Sequence, residues 1–454
     1  MSLRRRKSII KQNIRLSENY IDIIENRIDK RPLFLLIFVM SHVPLAYFIS
    51  QFPSLATIHS IFTFCFGIIF LIFYKNPYRV IFCMAYITGA EILWRVSGAN
   101  IFWEMGKYSI ILLSILAILK FKTKIKRDVW PIFYFMVLIP SVSLTPQFDR
   151  EAIAINLAGP FALAASVLFF STIEINLDHL KRIFVFLLAP IVGVGSLILL
   201  NVLRLEYIEF GSGSNFLTSA GFGPNQVSSA LALGSFAAFN YLILEKKIPY
   251  QLIYLIITLW LLSQSALTFS RAGVWTTVIT LLISGIIWIR NKKSRLVFLF
   301  TSLVLIILSY SVILPFFENY TQGALINRFE NINFTGRLEI MKADLIVFIE
   351  HPLFGVGVNQ SKPYHALTFR YSSAHTEFTR MLSEHGILGL VALILLVYSI
   401  LKRFRLKIPP FEKAFIIGLT MWAILYMGHS ATRLVAPSFL FGLAASHFSL
   451  VNKE

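Results

Sequence analysis

Six polar residues carry most of the chemistry available to this 454-residue chain. Arg271 ends an apolar run in TFSRAG, and Arg337 opens a helical segment in FTGRLE. His375 lies in SSAHTEF with Arg380 just beyond it, Arg433 sits in HSATRL and Asn225 in GPNQ. Arginine stays charged and binds phosphate oxygens bidentately. A neutral imidazole suits a general base near pH 7. Such a set fits a metal-free reaction on an anionic substrate, with Arg271, Arg337, His375, Arg433, Arg380 and Asn225 as the candidate site residues. The sequence has no DxD motif and no His, Cys or Asp cluster at metal-ligand spacing. No metal and no cofactor are therefore expected.

Each residue also has a plainer reading. Arg271 can snorkel from a helix end to the interface. Arg337 can pair with Asp344 or Glu330, although a place in the first turn of a helix also suits phosphate. His375 can be an ordinary helix-surface histidine. Arg380 can bridge Glu377 and Glu384 on its own helix. Arg433 can be an interfacial anchor, and Asn225 can cap the following span. Glu91, Arg95 and Glu104, the strong charges of region 90–106, either pair with one another or line a groove.

The elements that must position these residues are membrane spans. The chain is 56% hydrophobic and 14% charged, against about 45–50% and about 25% in soluble domains. With 42 Phe besides, a soluble enzyme and a disordered chain are excluded. Continuous rather than alternating apolar runs exclude an outer-membrane barrel. The fold class is all-α: a polytopic integral membrane protein of about 12–14 transmembrane helices with one long, partly helical periplasmic loop. Spans are expected near 33–50, 57–74, 79–96, 107–121, 130–145, 151–172, 180–202, 226–245, 250–268, 273–290, 295–315, 386–402, 411–428 and 433–450. The third to fifth are short or interrupted by Glu91 and Arg95.

The net charge of +19 fits Lys- and Arg-rich cytoplasmic loops rather than nucleic-acid binding. With 14 spans and both termini cytoplasmic, the short outer loops hold almost no Lys or Arg, and the candidate residues fall at the outer end. Residues 1–31 read as a basic amphipathic segment on the inner leaflet or as a solvated tail. Residues 32–315 then hold spans 1–11, 316–385 form the outer catalytic loop, and 386–454 carry the C-terminal spans. No cleavable signal peptide is expected, because the first 31 residues are polar and no cleavage-site pattern follows the first apolar run. Cys65 and Cys83 lie in apolar segments and point to neither a disulfide nor zinc. In the loop, Leu338, Met341, Leu345 and Phe348 recur at helical steps. His351-Pro352 stops that helix, and Gly355 and Gly357 make a turn. A second helix is expected from an N-cap at Ser372 or Ser373 through His375 toward Gly386.

The stretch GRLEIMKADLIVFIEHPLFGVGVNQ, followed by AHTEFTRMLSEHGILG, resembles the O-antigen ligase and polymerase superfamily. The family pattern is a His, then usually Asn, Ser or Gln, nine residues, and Gly-x-x-Gly. Here these are His375, Thr376, residues 377–385, Gly386 and Gly389, so Thr376 departs in type but stays small and polar. An Arg before a helix that ends in His-Pro-Leu-x-Gly-x-Gly matches from Arg337 to Gly357, and Ser-Arg-Ala-Gly matches from Ser270 to Gly273. GFGPN at 221–225 looks like the family's element before a span. The resemblance covers roughly residues 205–390, while the first 200 match only in hydropathy.

The resemblance implies a glycosyltransferase of the bacterial inner membrane that works at the periplasmic face without metal or nucleotide. Its donor would be a glycan linked through diphosphate to undecaprenol, and its acceptor a glycan or lipid A-core. Polysaccharide-export proteins are implied as partners besides the lipid bilayer. By the same resemblance, Arg271 and Arg337 hold the diphosphate and His375 activates the acceptor hydroxyl. A lateral apolar groove for the lipid tail is expected. Polymerase is slightly favoured over ligase, since nothing in the sequence shows a lipid A-core acceptor; protein glycosylation is a further variant. The alternative from another class is a transporter or flippase of lipid-linked glycans. That class should carry charges along many spans and an internal repeat, and the sequence has neither.

Overall fold

The computed structural model describes residues 31–121, 128–145, 149–205, 208–211, 213–290, 292–331, 336–368 and 373–450. The amphipathic segment expected over 1–31 therefore lies, apart from Arg31, outside the described residues. Helix α1 (Arg31–Ser50) and α2 (Pro53–Phe73) lead to α3 (Tyr78–Val96), α4 (Met105–Lys120) and the short α5 (Trp130–Met136). There follow α6 (Arg150–Phe170), α7 (Leu177–Leu203), α8 (Pro224–Leu244), α9 (Ile248–Leu267) and α10 (Arg271–Trp288). Helix α11 (Lys292–Leu308) passes through a π-turn at Ser309–Ile313 into α12 (Leu314–Tyr320). The long connector holds α13 (Ala324–Glu330), α14 (Arg337–Glu350) and α15 (Lys362–Thr368), and the chain closes with α16 (Glu377–Phe404), α17 (Pro410–Ser430) and α18 (Ala436–Leu443). Among the described residues two short strands, β1 (Glu174–Asn176) and β2 (His447–Ser449), pair in parallel.

The protein is an all-α, polytopic membrane protein. Ten helices among the described residues are long and apolar enough to cross a membrane: α1, α2, α6 to α10, the α11–α12 unit, α16 and α17. The other four expected spans form helices too, but α3 is more polar and α4, α5 and α18 are shorter. Helix α3 tolerates its charges because protein rather than lipid surrounds it, with Val80–Ala85 and Ile87–Trp94 buried. Gly89 makes this possible, since a Cβ there would lie 2.1 Å from the Leu187 carbonyl oxygen of α7. Small residues admit such close helix contacts inside membranes. The α11–α12 unit is the opposite case, with only 11% of its most apolar window buried.

Helices alternate in direction, so connectors 97–104, 268–270, 321–376 and 431–435 gather at one end of the bundle. At the other end lie 74–77, 171–176, 245–247 and the β1–β2 pair, tied by Tyr78 Oη donating to the Glu174 carbonyl (2.9 Å) and by the Lys181–Glu245 ion pair (3.1 Å). The connector between the eleventh and twelfth expected spans runs from 321 to 376, because α12 continues to Tyr320 and α16 begins at Glu377.

Helix α16 is broken at Gly386, where φ is 58° and ψ is −135°. The break frees the carbonyls of Ser383 and Glu384 and the N–H of Ile387. The turn after α14 satisfies all three. Val356 N–H donates to Ser383 (3.0 Å), Gly357 N–H donates to Glu384 (3.2 Å), and Ile387 N–H donates to Pro352 (2.7 Å). Backbone groups without water must find such partners. A Cβ on Gly355 would sit 2.4 Å from the Glu384 backbone, which explains the glycine at that contact. Before this joint along α16, the fully buried Asp344 gathers His365 Nε2 (2.8 Å), Thr379 Oγ1 (2.7 Å) and Ser383 Oγ (2.8 Å), locking α14, α15 and α16 together. Asp344 is thus spent on the lock, so it is not the partner that the sequence offered to Arg337.

The start of α16 corrects one expectation. Its N-cap is Thr376, whose hydroxyl accepts from the N–H groups of Phe378 (3.1 Å) and Thr379 (3.4 Å). Ser373 lies three residues too early, Ser372 lies outside the described residues, and His375 precedes the helix instead of riding on it. The extended backbone of Thr376 (φ −119°, ψ 136°) places the cap there.

Gly386→Ala forces a side chain into a backbone conformation reserved for glycine, at a cost of about 1–3 kcal/mol, and sets its Cβ 2.6 Å from the Gly355 nitrogen. The variant should show a lower melting temperature than the parent by fluorescence-detected size exclusion after heating; equal melting would refute the joint as described.

Candidate active site

Four of the helices that begin at the end of the bundle carrying the long connector concern the candidate residues. They are α8 at Pro224, α10 at Arg271, α14 at Arg337 and α16 at Glu377. Free N–H groups and the positive dipole end make each helix start favourable to anions. Two of the starts are tied directly, because Ser270 Oγ donates to Asn225 Oδ1 (2.7 Å). This corrects the capping alternative for Asn225. Gly223 holds the N-cap position and Pro224 opens the helix, as suits a residue without an N–H to place. Asn225 instead sits in the first turn and braces the segment that carries Arg271.

The arginines converge here. Arg271 donates to the Asn331 carbonyl, turning its head to the connector and not along the lipid face. Arg328 Nε donates to the Phe269 carbonyl (3.2 Å), and Arg433 Nη2 to the Ala374 carbonyl (3.4 Å). Arg337 stands within electrostatic reach of Arg433, Arg271 and Arg328. Burial first, and then these three guanidiniums, hold the Arg337 pKa below the ordinary arginine value. Burial also lowers Arg328, with Arg271 adding to the effect. Among the described residues, Arg328, Arg337 and Arg433 enter no ion pair. A partly buried group of like charges without carboxylates has a polyanion as its chemical complement.

His375 borders this cluster. Its carbonyl accepts from the Ala431 N–H (3.1 Å), and Arg433 reaches the carbonyl of the residue before it. His429, at the end of α17, lies within electrostatic reach of Arg337 and His375 and bonds Thr276 Oγ1 through Nε2 (3.1 Å). The structure therefore brings Arg271, Arg337, His375 and Arg433 to one place, with Asn225 bracing its edge.

Arg380 stands apart. It is buried and paired with Glu377 (2.6 Å) and Glu384 (2.8 Å) on its own helix, and it also reaches Asn156 (3.4 Å). Glu91 and Arg95 pair at 2.7 Å, while Glu104 pairs with Lys107 instead. The first pair holds the segment bearing Arg433. Arg95 donates to Gln226 Oε1 (2.6 Å) and to the Arg433 carbonyl (3.4 Å), and Glu91 accepts from the Val435 N–H (2.8 Å). Among the described residues, no three His, Cys, Asp or Glu side chains gather as metal ligands would.

Residues 253–394 match the family model described as O-antigen ligase. That stretch is similar to the O-antigen ligase family and makes up about a third of the chain. It runs from within α9 to within α16 and includes Arg271, Arg328, Arg337, His375 and the joint at Gly386. The match supports the O-antigen ligase and polymerase superfamily, and with it an O-antigen ligase-type function in general terms for this multi-pass membrane protein. A comparison with curated proteins finds no match. Arg328 and His429 were missed by sequence reasoning. Arg328 carried the same signal as Arg271, a basic residue on the side poor in them. His429 gave none, because only the fold of the α17–α18 corner brings it to Arg337.

Removing one member of a buried ion pair costs about 3–5 kcal/mol, whereas removing one of several repelling cations relieves strain. Arg380→Ala should therefore melt well below the parent in detergent, and Arg337→Ala should melt no lower than it. Inorganic pyrophosphate should raise the melting temperature of the parent in a saturable way and do so weakly or not at all in Arg337→Ala. The reverse ranking of the two variants would refute the assignment of a polyanion site.

Proposed function

We propose that the protein is a glycosyltransferase of the bacterial inner membrane. It transfers an oligo- or polysaccharide from undecaprenyl diphosphate to an acceptor hydroxyl at the periplasmic face, in cell-surface polysaccharide biosynthesis. We favour a polymerase over a lipid A-core ligase. The observation that carries this reading is the arginine cluster beside His375, set near the starts of α8, α10, α14 and α16. The family match, which covers Arg271, Arg328, Arg337 and His375, agrees with it.

In this scheme the donor diphosphate lies among Arg271, Arg337, Arg328 and Arg433. His375 accepts the proton of the acceptor hydroxyl as that oxygen attacks the anomeric carbon. The bond from the anomeric carbon to the diphosphate oxygen breaks, and undecaprenyl diphosphate leaves with the electron pair. The proton passes from His375 to water. Charge grows on the leaving group in the transition state, and preorganised guanidiniums stabilise it there. These residues neutralise the leaving group, so the scheme uses no metal. The polyprenyl tail lies in the bilayer, and the lipid-exposed α11–α12 unit, which leads directly into the Arg328 connector, borders its route.

Arg271→Ala, Arg337→Ala and His375→Ala should each abolish or strongly reduce surface glycan in a strain lacking the gene, at unchanged membrane protein levels. Losing one charge-stabilising donor costs about 10²–10³ in rate, and losing a general base about 10²–10⁴. A lost ladder with one unit still attached identifies a polymerase, and no attached glycan identifies a ligase. Normal glycan from the three variants would overturn the proposal and turn attention to a transporter.

A further inference from the structure

A cavity of about 430 Å³ opens beside the arginine cluster. Its wall and the cluster share Arg433, and it also touches Ser373 and Ala374, the two residues before His375. Arg271, Arg328 and Arg337 do not line it. Its volume falls within the roughly 300–1,000 Å³ usual for small-molecule sites.

The wall differs in chemistry from the cluster. Its carboxylates are all engaged in ion pairs: Glu104 with Lys107, and Glu377 and Glu384 with Arg380. Lys362 and Arg433 are the remaining cations, and Arg433 marks the boundary with the cluster. Between the pairs the wall presents amides and a hydroxyl, from Asn156, Gln226, Asn359 and Ser361. Trp103 adds an aromatic surface that is 52% exposed, and Arg95 stacks 4.5 Å from its ring centroid. Arg95 also accounts for the indole's placement, since it donates to the Trp103 carbonyl (3.0 Å) while bound to Glu91 and Gln226.

We infer that this cavity holds the sugar end of the acceptor, with Trp103 as its stacking platform. A pyranose ring has an apolar C–H face and an edge of hydroxyls. An aromatic surface takes the first, and amides with paired charges take the second. A diphosphate belongs with the cluster, where Arg328, Arg337 and Arg433 enter no ion pair among the described residues. The two compartments meet at Arg433 and Ala374, beside His375, so a hydroxyl presented from the cavity arrives at the proposed base. The inference rests on the transferase reading and deepens it.

The test uses the full chain purified in detergent and two probes. One is inorganic pyrophosphate. The other is the repeat-unit oligosaccharide released by hydrolysis of the source cell's own surface polysaccharide, with a free reducing end. Binding is measured by calorimetry on the parent, Trp103→Ala, Trp103→Phe and Ile155→Trp, the last of which fills the cavity from α6. The oligosaccharide should bind the parent equally well with or without saturating pyrophosphate. Its affinity should fall about tenfold in Trp103→Ala, return in Trp103→Phe and vanish in Ile155→Trp, while pyrophosphate binds all four alike. If pyrophosphate binds but the oligosaccharide ignores the Trp103 and Ile155 changes, the cavity is not the acceptor site. Displacement of the oligosaccharide by pyrophosphate would place it at the donor position instead and also overturn the inference. If pyrophosphate itself fails to bind, the transferase reading beneath it falls.

Discussion

Several guanidiniums of like charge have to be held close together at the end of a bundle whose sides face lipid. Burial and mutual repulsion both oppose this arrangement, and among the described residues no carboxylate pairs with Arg328, Arg337 or Arg433. Each cation is instead held by neutral groups or by rigid backbone. Carbonyls of Asn331, Phe269 and Ala374 fix Arg271, Arg328 and Arg433. The buried carboxylates nearby are already engaged, Glu91 on Arg95, Glu377 and Glu384 on Arg380, and Asp344 on His365. The acidic residues thus work as scaffold and leave the positive charge at the centre uncancelled.

Holding that centre needs a connector that is rigid without being a span. The joint at Gly386 provides it. A continuous helix from 377 onward would offer the Pro352–Gly357 turn no backbone partners. The break offers two carbonyls and one N–H, and the Pro352–Gly357 turn takes all of them. The Asp344 lock lies about one turn nearer the start of α16 and adds α15 to the same attachment. Position of the arginine at the head of α14 therefore follows from contacts at the tail of α14 and along α16, and Gly386, Gly355 and Asp344 matter to a site that none of them touches.

Much of the architecture is legible from hydropathy, because lipid imposes apolar runs of a set length. The runs behind α1, α2, α6 to α10, α16 and α17 need nothing else. Legibility fades where protein replaces lipid as the neighbour. Helix α3 carries Glu91 and Arg95 since α7 and its other neighbours enclose it, and hydropathy has no means of distinguishing that from a poor span. The start of α16 was misplaced for a related reason. Ser373 and Thr376 are both competent caps, and only the backbone path out of the connector selects Thr376.

The sequence by itself determined the class of the protein and marked a short set of arginines and one histidine, most of which the fold places at one end of the bundle. Residue types and periodicity carry that information, because both depend only on local chemistry. The tertiary structure alone decided which of these residues meet. Arg433 and His375 are 58 positions apart in the chain and become neighbours through the α17–α18 corner. Arg380, five positions from His375, is withdrawn into an ion-paired wall. Arg328 and His429 join from places that no motif marks. Electrostatic neighbourhoods are set by distance in space, and a chain that crosses the bilayer repeatedly brings together residues that its order keeps apart.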